Sequence, residues 1–176
     1  MSLGRFMRGA ALLAVLPLTG CGLTHLQDLN FRVDNRLHFL SPQDRSTVAR
    51  KFTVSWTMRD FTIAAPGSAP ATRDAGYFAV FVDKTPVKPG QTMKSLVSND
   101  AACKLDPKCP DRARLADLGV FTTTNTSFRV TQVANVTGDK EKLQHHYVTV
   151  VLMDTSGHRI GESAWELDLR IPKVGY

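Results

Sequence analysis

The chain predicts an all-β fold, an antiparallel β-sandwich of about seven strands with almost no helix. Three observations carry that expectation. Apolar and polar residues alternate at period two over several short stretches, most clearly Phe52, Val54, Trp56 and Met58 against Thr53, Ser55 and Thr57. Clusters of Pro, Gly, Asn and Asp separate those stretches. The 176 residues suffice for a single hydrophobic core, and the two tryptophans both fall on alternating stretches.

In chain order, Phe31 and Val33 alternate with Arg32 and Asp34, and after Asn35-Arg36 the pair Leu37 and Phe39 flanks His38, which predicts a bent first strand. Ser41-Pro42-Gln43-Asp44 marks a turn. The strand around Trp56 follows, with that indole in the core. A loop rich in Ala, Pro, Gly and Ser covers 64–76. Residues 77–82 are apolar on both parities and predict a central strand covered on both faces.

Asp83 to Leu118 is the least regular stretch, a long insertion in which 93–97 is expected as a short strand and 110–118 as one or two helical turns closed by Gly119. Residues 120–123 and 127–133 are rich in β-branched side chains and read as a strand pair around Thr124-Asn125-Thr126. Gly138 to Glu141 forms an exposed turn. A final hairpin joins 145–153 to 159–171 through Asp154-Thr155-Ser156-Gly157. On its return strand Trp165, Leu167, Leu169 and Ile171 face the core, while Glu166, Asp168 and Arg170 face water.

The N-terminus has a different grammar. Arg5 and Arg8 precede an apolar run from Gly9 to Leu18, and Leu18-Thr19-Gly20-Cys21 follows. This order of parts resembles the signal peptide and lipobox of bacterial lipoproteins. The resemblance implies a signal peptide over 1–20, acylation of Cys21, a lipidated tether over 21–30 and a domain over 31–173, displayed on the extracytoplasmic face of a cell membrane. An ordinary signal peptide or a buried helix would be the alternatives. The apolar run is too short, and broken by Pro17, to cross ~30 Å of hydrocarbon. Two or three acyl chains would hold such a protein firmly, at ~0.8 kcal/mol per buried CH₂. At most about 32 Å of extended chain separates Cys21 from the domain.

With Cys21 acylated, Cys103 and Cys109 remain as a pair in an oxidising compartment, and a disulfide pinning the insertion is the natural reading. A metal or redox site is the rival; the spacing is neither C-x-x-C nor part of a four-ligand set. Without Arg5 and Arg8 the formal charge of +6 becomes +4. That mild excess is spread along the chain, with no basic run of nucleic-acid type.

The phrases Ser41-Pro42-Gln43-Asp44, Phe52-Thr53-Val54-Ser55-Trp56 and His146-Tyr147-Val148-Thr149-Val150, with Asp154 and Gly157, are similar to the punctuation of bacterial immunoglobulin-like and fibronectin type III-like modules. The likeness covers Ser41 to Ile171 and implies an immunoglobulin-like sandwich with a binding or spacing role. Two departures stand out: the insertion is longer than such a module needs, and no cysteine pair bridges the sheets.

No catalytic, cofactor or metal site is assigned. His145 and His146 are neighbours on a strand and point to opposite faces, so ordinary surface or edge histidines are expected. Asp154-Thr155-Ser156-Gly157 is explained by its turn. Glu166 and Asp168, about 7 Å apart on one face, read as surface acids. Recognition is expected in the insertion, where Lys84, Lys88, Lys94, Lys104, Lys108, Arg112 and Arg114 suit an anionic partner, an envelope protein or an anionic wall polymer, although Asp83, Asp100, Asp106, Asp111 and Asp117 offset most of that charge. An extracytoplasmic carrier of a small ligand or metal is the alternative function.

Overall fold

A computed structural model describes residues 34–174 of the chain. Cys21, the tether and the first residues of the bent strand lie outside the described residues. The remainder is mostly β-structure arranged as two sheets, with few helices.

In the first sheet, β1 (Leu37–Ser41) pairs with β2 (Phe52–Met58), which pairs with β6 (Ser127–Val130), all antiparallel. The second sheet runs β4 (Ala75–Val82), β7 (Leu143–Asp154) and β8 (Trp165–Pro172), antiparallel at each step. The far edge of β4 carries β5 (Val120–Thr123), antiparallel over Phe78–Phe81, and the two-residue β3 (Thr62–Ile63), parallel at Ala75 and Gly76. After β1 the chain crosses to the other sheet. There Arg45 and Val48 donate their N–H groups to the carbonyls of Asp168 and Arg170, and Ser46 O accepts from Arg170 N. The free edge of β8 is thereby partly covered, which blunts it against pairing with another chain.

The core between the sheets follows from the alternation. Val54 and Trp56 from β2 meet Phe78 and Val80 from β4, Val148, Val150 and Leu152 from β7, and Leu167, Leu169 and Ile171 from β8. Trp56 and Phe78 meet edge to face, ring centroids 5.2 Å apart. β4 is buried along almost its whole length, as a strand apolar on both parities should be. Its outward residues Tyr77, Ala79 and Phe81 form a second cluster with Val120, Val151 and Met153. The insertion covers that face. Among the described residues, no helix is long and apolar enough to cross a membrane.

Four expectations change. Residues 120–123 and 127–133 do not pair with each other: the link Thr124–Thr126 carries the chain from one sheet to the other, and Trp56 N donates to Thr126 O on the way. Each strand takes an edge already present, β5 on β4 and β6 on β2. Met93–Val97 is a turn of 3₁₀ helix rather than a strand. It crosses the face of a sheet and reaches no edge, so its polar groups are satisfied locally, Ser95 bonding Thr92 O through both N–H and hydroxyl. A short helix, α1 (Ala101–Leu105), was not expected; its signal is Asp100, whose carboxylate accepts from the N–H groups of Ala102 and Cys103. The return is interrupted: Arg159 bridges Met153 and Ile160 N donates to Leu152 O as expected, but Arg159 also bonds Gly90 and Gln91 of the insertion, and the regular strand resumes only at Trp165.

Candidate functional site

The insertion is built from the outer face of the second sheet upward. Val87, Met93, Leu96, Leu115 and Leu118 pack onto Tyr77, Ala79, Phe81, Val151 and Met153. Burying side chains of this size contributes on the order of 2 kcal/mol each, enough to seat a segment that pairs with no strand. Two further devices hold its roots. Arg159, 9% exposed, donates to the carbonyls of Val87, Glu162 and Ser163, and burial lowers its pKa despite the charge of Glu162. Gly119 closes the helix α2 (Arg112–Asp117) at φ +73°, where a Cβ would stand 2.5 Å from the Val82 carbonyl oxygen. The expected helical turns with Gly119 behind them are therefore present.

Cys103 and Cys109 lie at disulfide distance with Cα atoms 5.0 Å apart, tying α1 to the start of α2. Asp111 caps α2 by accepting from Arg114 N, and Asp100 receives the Arg114 guanidinium. That hydrogen bond is the largest of the causes that lower the pKa of Asp100, with the N–H groups of α1 assisting.

All seven basic residues of the insertion are exposed, but they do not form one surface. Lys94, Lys108 and Arg112 line a cleft of about 560 Å³ between the insertion and the sheet face. Lys104 borders a smaller recess that Lys94 and Asp106 also line, and Lys84 borders a separate one. Arg114 is spent on Asp100. None of Lys94, Lys108 and Arg112 makes an ion pair among the described residues.

The floor of the 560 Å³ cleft is Tyr77, Met93, Leu115 and Thr122, and Ser156 and Gly157 of the hairpin turn form one end. Sequence reasoning missed Tyr77 and Thr122. Tyr77 sits in a run apolar on both parities and reads as core, yet its place at the strand's end carries the phenol to the cleft. A second cleft of about 360 Å³ shares Tyr77, Arg112 and Thr122 with the first and continues past Thr123 and Thr124 to Ala65 and Pro66. Among the described residues, no Asp or Glu lines either cleft.

The hairpin turn is tied together by hydrogen bonds where it meets the cleft. Asp154 Oδ1 accepts from Ser156 N, Ser156 Oγ and His158 N, each within 2.9 Å. Burial opposes the charge of Asp154, but these hydrogen bonds and the charge of His158 outweigh it and lower the carboxyl pKa. Tyr77 is shifted the other way: burial, and then the charge of Asp154, raise its pKa and keep the phenol protonated.

No family model, curated protein or solved structure matches the chain.

The histidines divide as strand parity requires, with one correction. His145 is exposed and its Nδ1 lies 2.8 Å from Asp168. His146, expected at a surface or edge, is 1% exposed; it faces inward between the sheets, and its Nδ1 meets Asp83 Oδ2 at 2.7 Å. Glu166 and Asp168 share the outer face of β8, engaged respectively by the Thr149 hydroxyl and by His145. Among the described residues no three His, Cys, Asp or Glu side chains converge as a metal site would need.

Proposed function

We propose that this chain is a lipid-anchored protein of the bacterial cell envelope, held on the extracytoplasmic face of a cell membrane by acyl chains on Cys21. Its domain acts as a non-catalytic binding or scaffolding module of immunoglobulin-like or fibronectin type III-like kind. The observation that carries the anchor is the ordered set Arg5, Arg8, the apolar run and Leu18-Thr19-Gly20-Cys21. Strand order supports the finer fold reading. As in such modules, the first two strands share a sheet with a later one, while a central strand and the last two make the other. A disulfide pair beside a structured insertion fits an oxidising compartment. Recognition by the insertion fits the habit of rigid sandwiches, which carry function on their long connections.

The test is the intact mass of protein extracted from membranes, before and after reduction and alkylation, beside a Cys21→Ser variant. The reading expects loss of residues 1–20, a lipid-sized addition that the variant lacks, and two alkylation sites that open only on reduction. An unmodified Cys21 with free Cys103 and Cys109 thiols overturns the anchor and the compartment together.

A further inference from the structure

We propose that the two contiguous clefts along the outer sheet face form one groove that binds an extended anionic glycan, a sugar chain bearing carboxylate or phosphate groups. The inference rests on reading the domain as a binding module and adds its site and ligand class.

Three independent features of the groove converge on that chemistry. The first is charge: Lys94, Lys108 and Arg112 line a groove that has no lining carboxylate among the described residues, and none of the three is neutralised by an ion pair there. Unpaired cations concentrated in a concavity focus their field on an anion far better than the same charges spread over a convex surface. The second is a donor at the cleft surface. The Tyr77 ring is buried, but its hydroxyl makes no hydrogen bond among the described residues and reaches the cleft wall, 3.6 Å from where a Cβ on Gly157 would stand. A phenol placed there donates to water or to a ligand oxygen in the groove.

The third feature is shape and lining. The clefts meet at Tyr77, Arg112 and Thr122, so the cavity is elongated, and hydroxyls of Thr92, Thr122, Thr123, Thr124 and Ser156 recur along it. Hydroxyls both donate and accept, which suits a polyhydroxylated chain in more than one rotamer. An acidic peptide is the competing occupant. The groove borders β5 at Thr122 and Thr123, and the outer edge of that strand has no strand partner among the described residues; the hydroxyl-rich lining favours the sugar chain, and polyglutamate tests the peptide.

Calorimetric titration of the full, detergent-extracted protein tests this. The probes are oligogalacturonate, a phosphomannan fragment, neutral dextran of matched length and polyglutamate. The expected result is binding of one or both anionic glycans, the two arms identifying carboxylate or phosphate, with weaker or no response to dextran and polyglutamate. In the Lys94→Gln/Arg112→Gln double variant that affinity falls by about tenfold or more, and in Tyr77→Phe by a few-fold. A Lys84→Gln/Lys88→Gln control, outside the groove, stays within about twofold. Thermal melts check that each variant remains folded.

Equal binding of polyglutamate overturns the ligand class, and equal loss in the control overturns the groove in favour of diffuse surface charge. Silence from both anionic glycans overturns the proposal outright. Glycan binding that ignores every groove variant removes the site while leaving the module a binder. The mass measurement on Cys21 reports separately on the anchor.

Discussion

Asp34, the first described residue, shows how one carboxylate fastens the start of the domain. It holds the Arg36 guanidinium through both oxygens, accepts from the Ser163 hydroxyl, and its carbonyl receives the Trp165 indole N–H. The Arg36 hydrogen bond is the largest influence on its acidity. Partial burial opposes it, Ser163 adds to it, and the carboxyl is lowered from 3.8 to about 2. A depressed carboxyl stabilises the fold fully above its unfolded pKa and loses that stabilisation as pH falls through its folded value. Asp34→Asn should therefore cost about 1 kcal/mol at neutral pH, allowing for solvent screening, with the difference from wild type vanishing between about pH 4 and pH 2. Urea unfolding of both proteins across that range measures it.

Asp83 carries a second such junction. It adopts φ +52°, and its two oxygens take the Tyr147 N–H and the buried His146 Nδ1. Asp83→Ala strands a buried imidazole nitrogen and should cost about 2 kcal/mol; Asp83→Asn, which keeps an acceptor and tolerates positive φ, should cost less. Equilibrium unfolding in denaturant at pH 7 compares the two.

For single elements, the insertion is held at its roots more firmly than in its middle. Gly119→Ala brings a methyl against the Val82 carbonyl at a positive φ, so the chain must shift where α2 enters β5. A loss of at least about 1 kcal/mol is expected from the backbone conformation alone. The disulfide acts differently, closing a loop of only a few residues with no role in either sheet. Replacing both Cys103 and Cys109 with Ser should lower stability by no more than about 2 kcal/mol and leave the strand amides as protected as before. Hydrogen exchange on both variants separates the two kinds of damage.

Across the whole molecule, protection should follow layering. β4 has strand partners on both edges and packing on both faces, and β7 is paired on both sides. Their amides should exchange only through global unfolding, and those of α1, which has no buried residue, through local opening. Native-state exchange at low denaturant checks this order, and equal protection of α1 and β4 would contradict it.

Much of this architecture is legible in residue order because period-two alternation is a local property with a direct geometric meaning. Phe52 to Met58 and Trp165 to Ile171 could bury their apolar parity in few other ways. The double apolarity of 77–82 likewise required covers on both faces, and the insertion supplies the second. The turn at Asp154 to Gly157 and the close at Gly119 are likewise written locally, in hydrogen bonds and backbone angles that neighbouring residues decide.

Pairing is a different matter, since alternation names a strand's buried face and never its partner. That β5 and β6 part company for separate sheets, that 93–97 coils, and that His146 is buried on Asp83 were decided by which edges and faces the rest of the chain left open. The groove belongs to the same class. Lys94, Lys108 and Arg112 were visible as charges, but only packing of the insertion onto the sheet gathers them around Tyr77, while Arg114 turns to Asp100. The sequence by itself determined the main strands, the core parities and the composition of the lipobox-like segment, all of them matters of neighbouring residues. Tertiary structure alone decided sheet membership and the convergence of the groove, because both depend on residues far apart in the chain competing for the same edges and the same face.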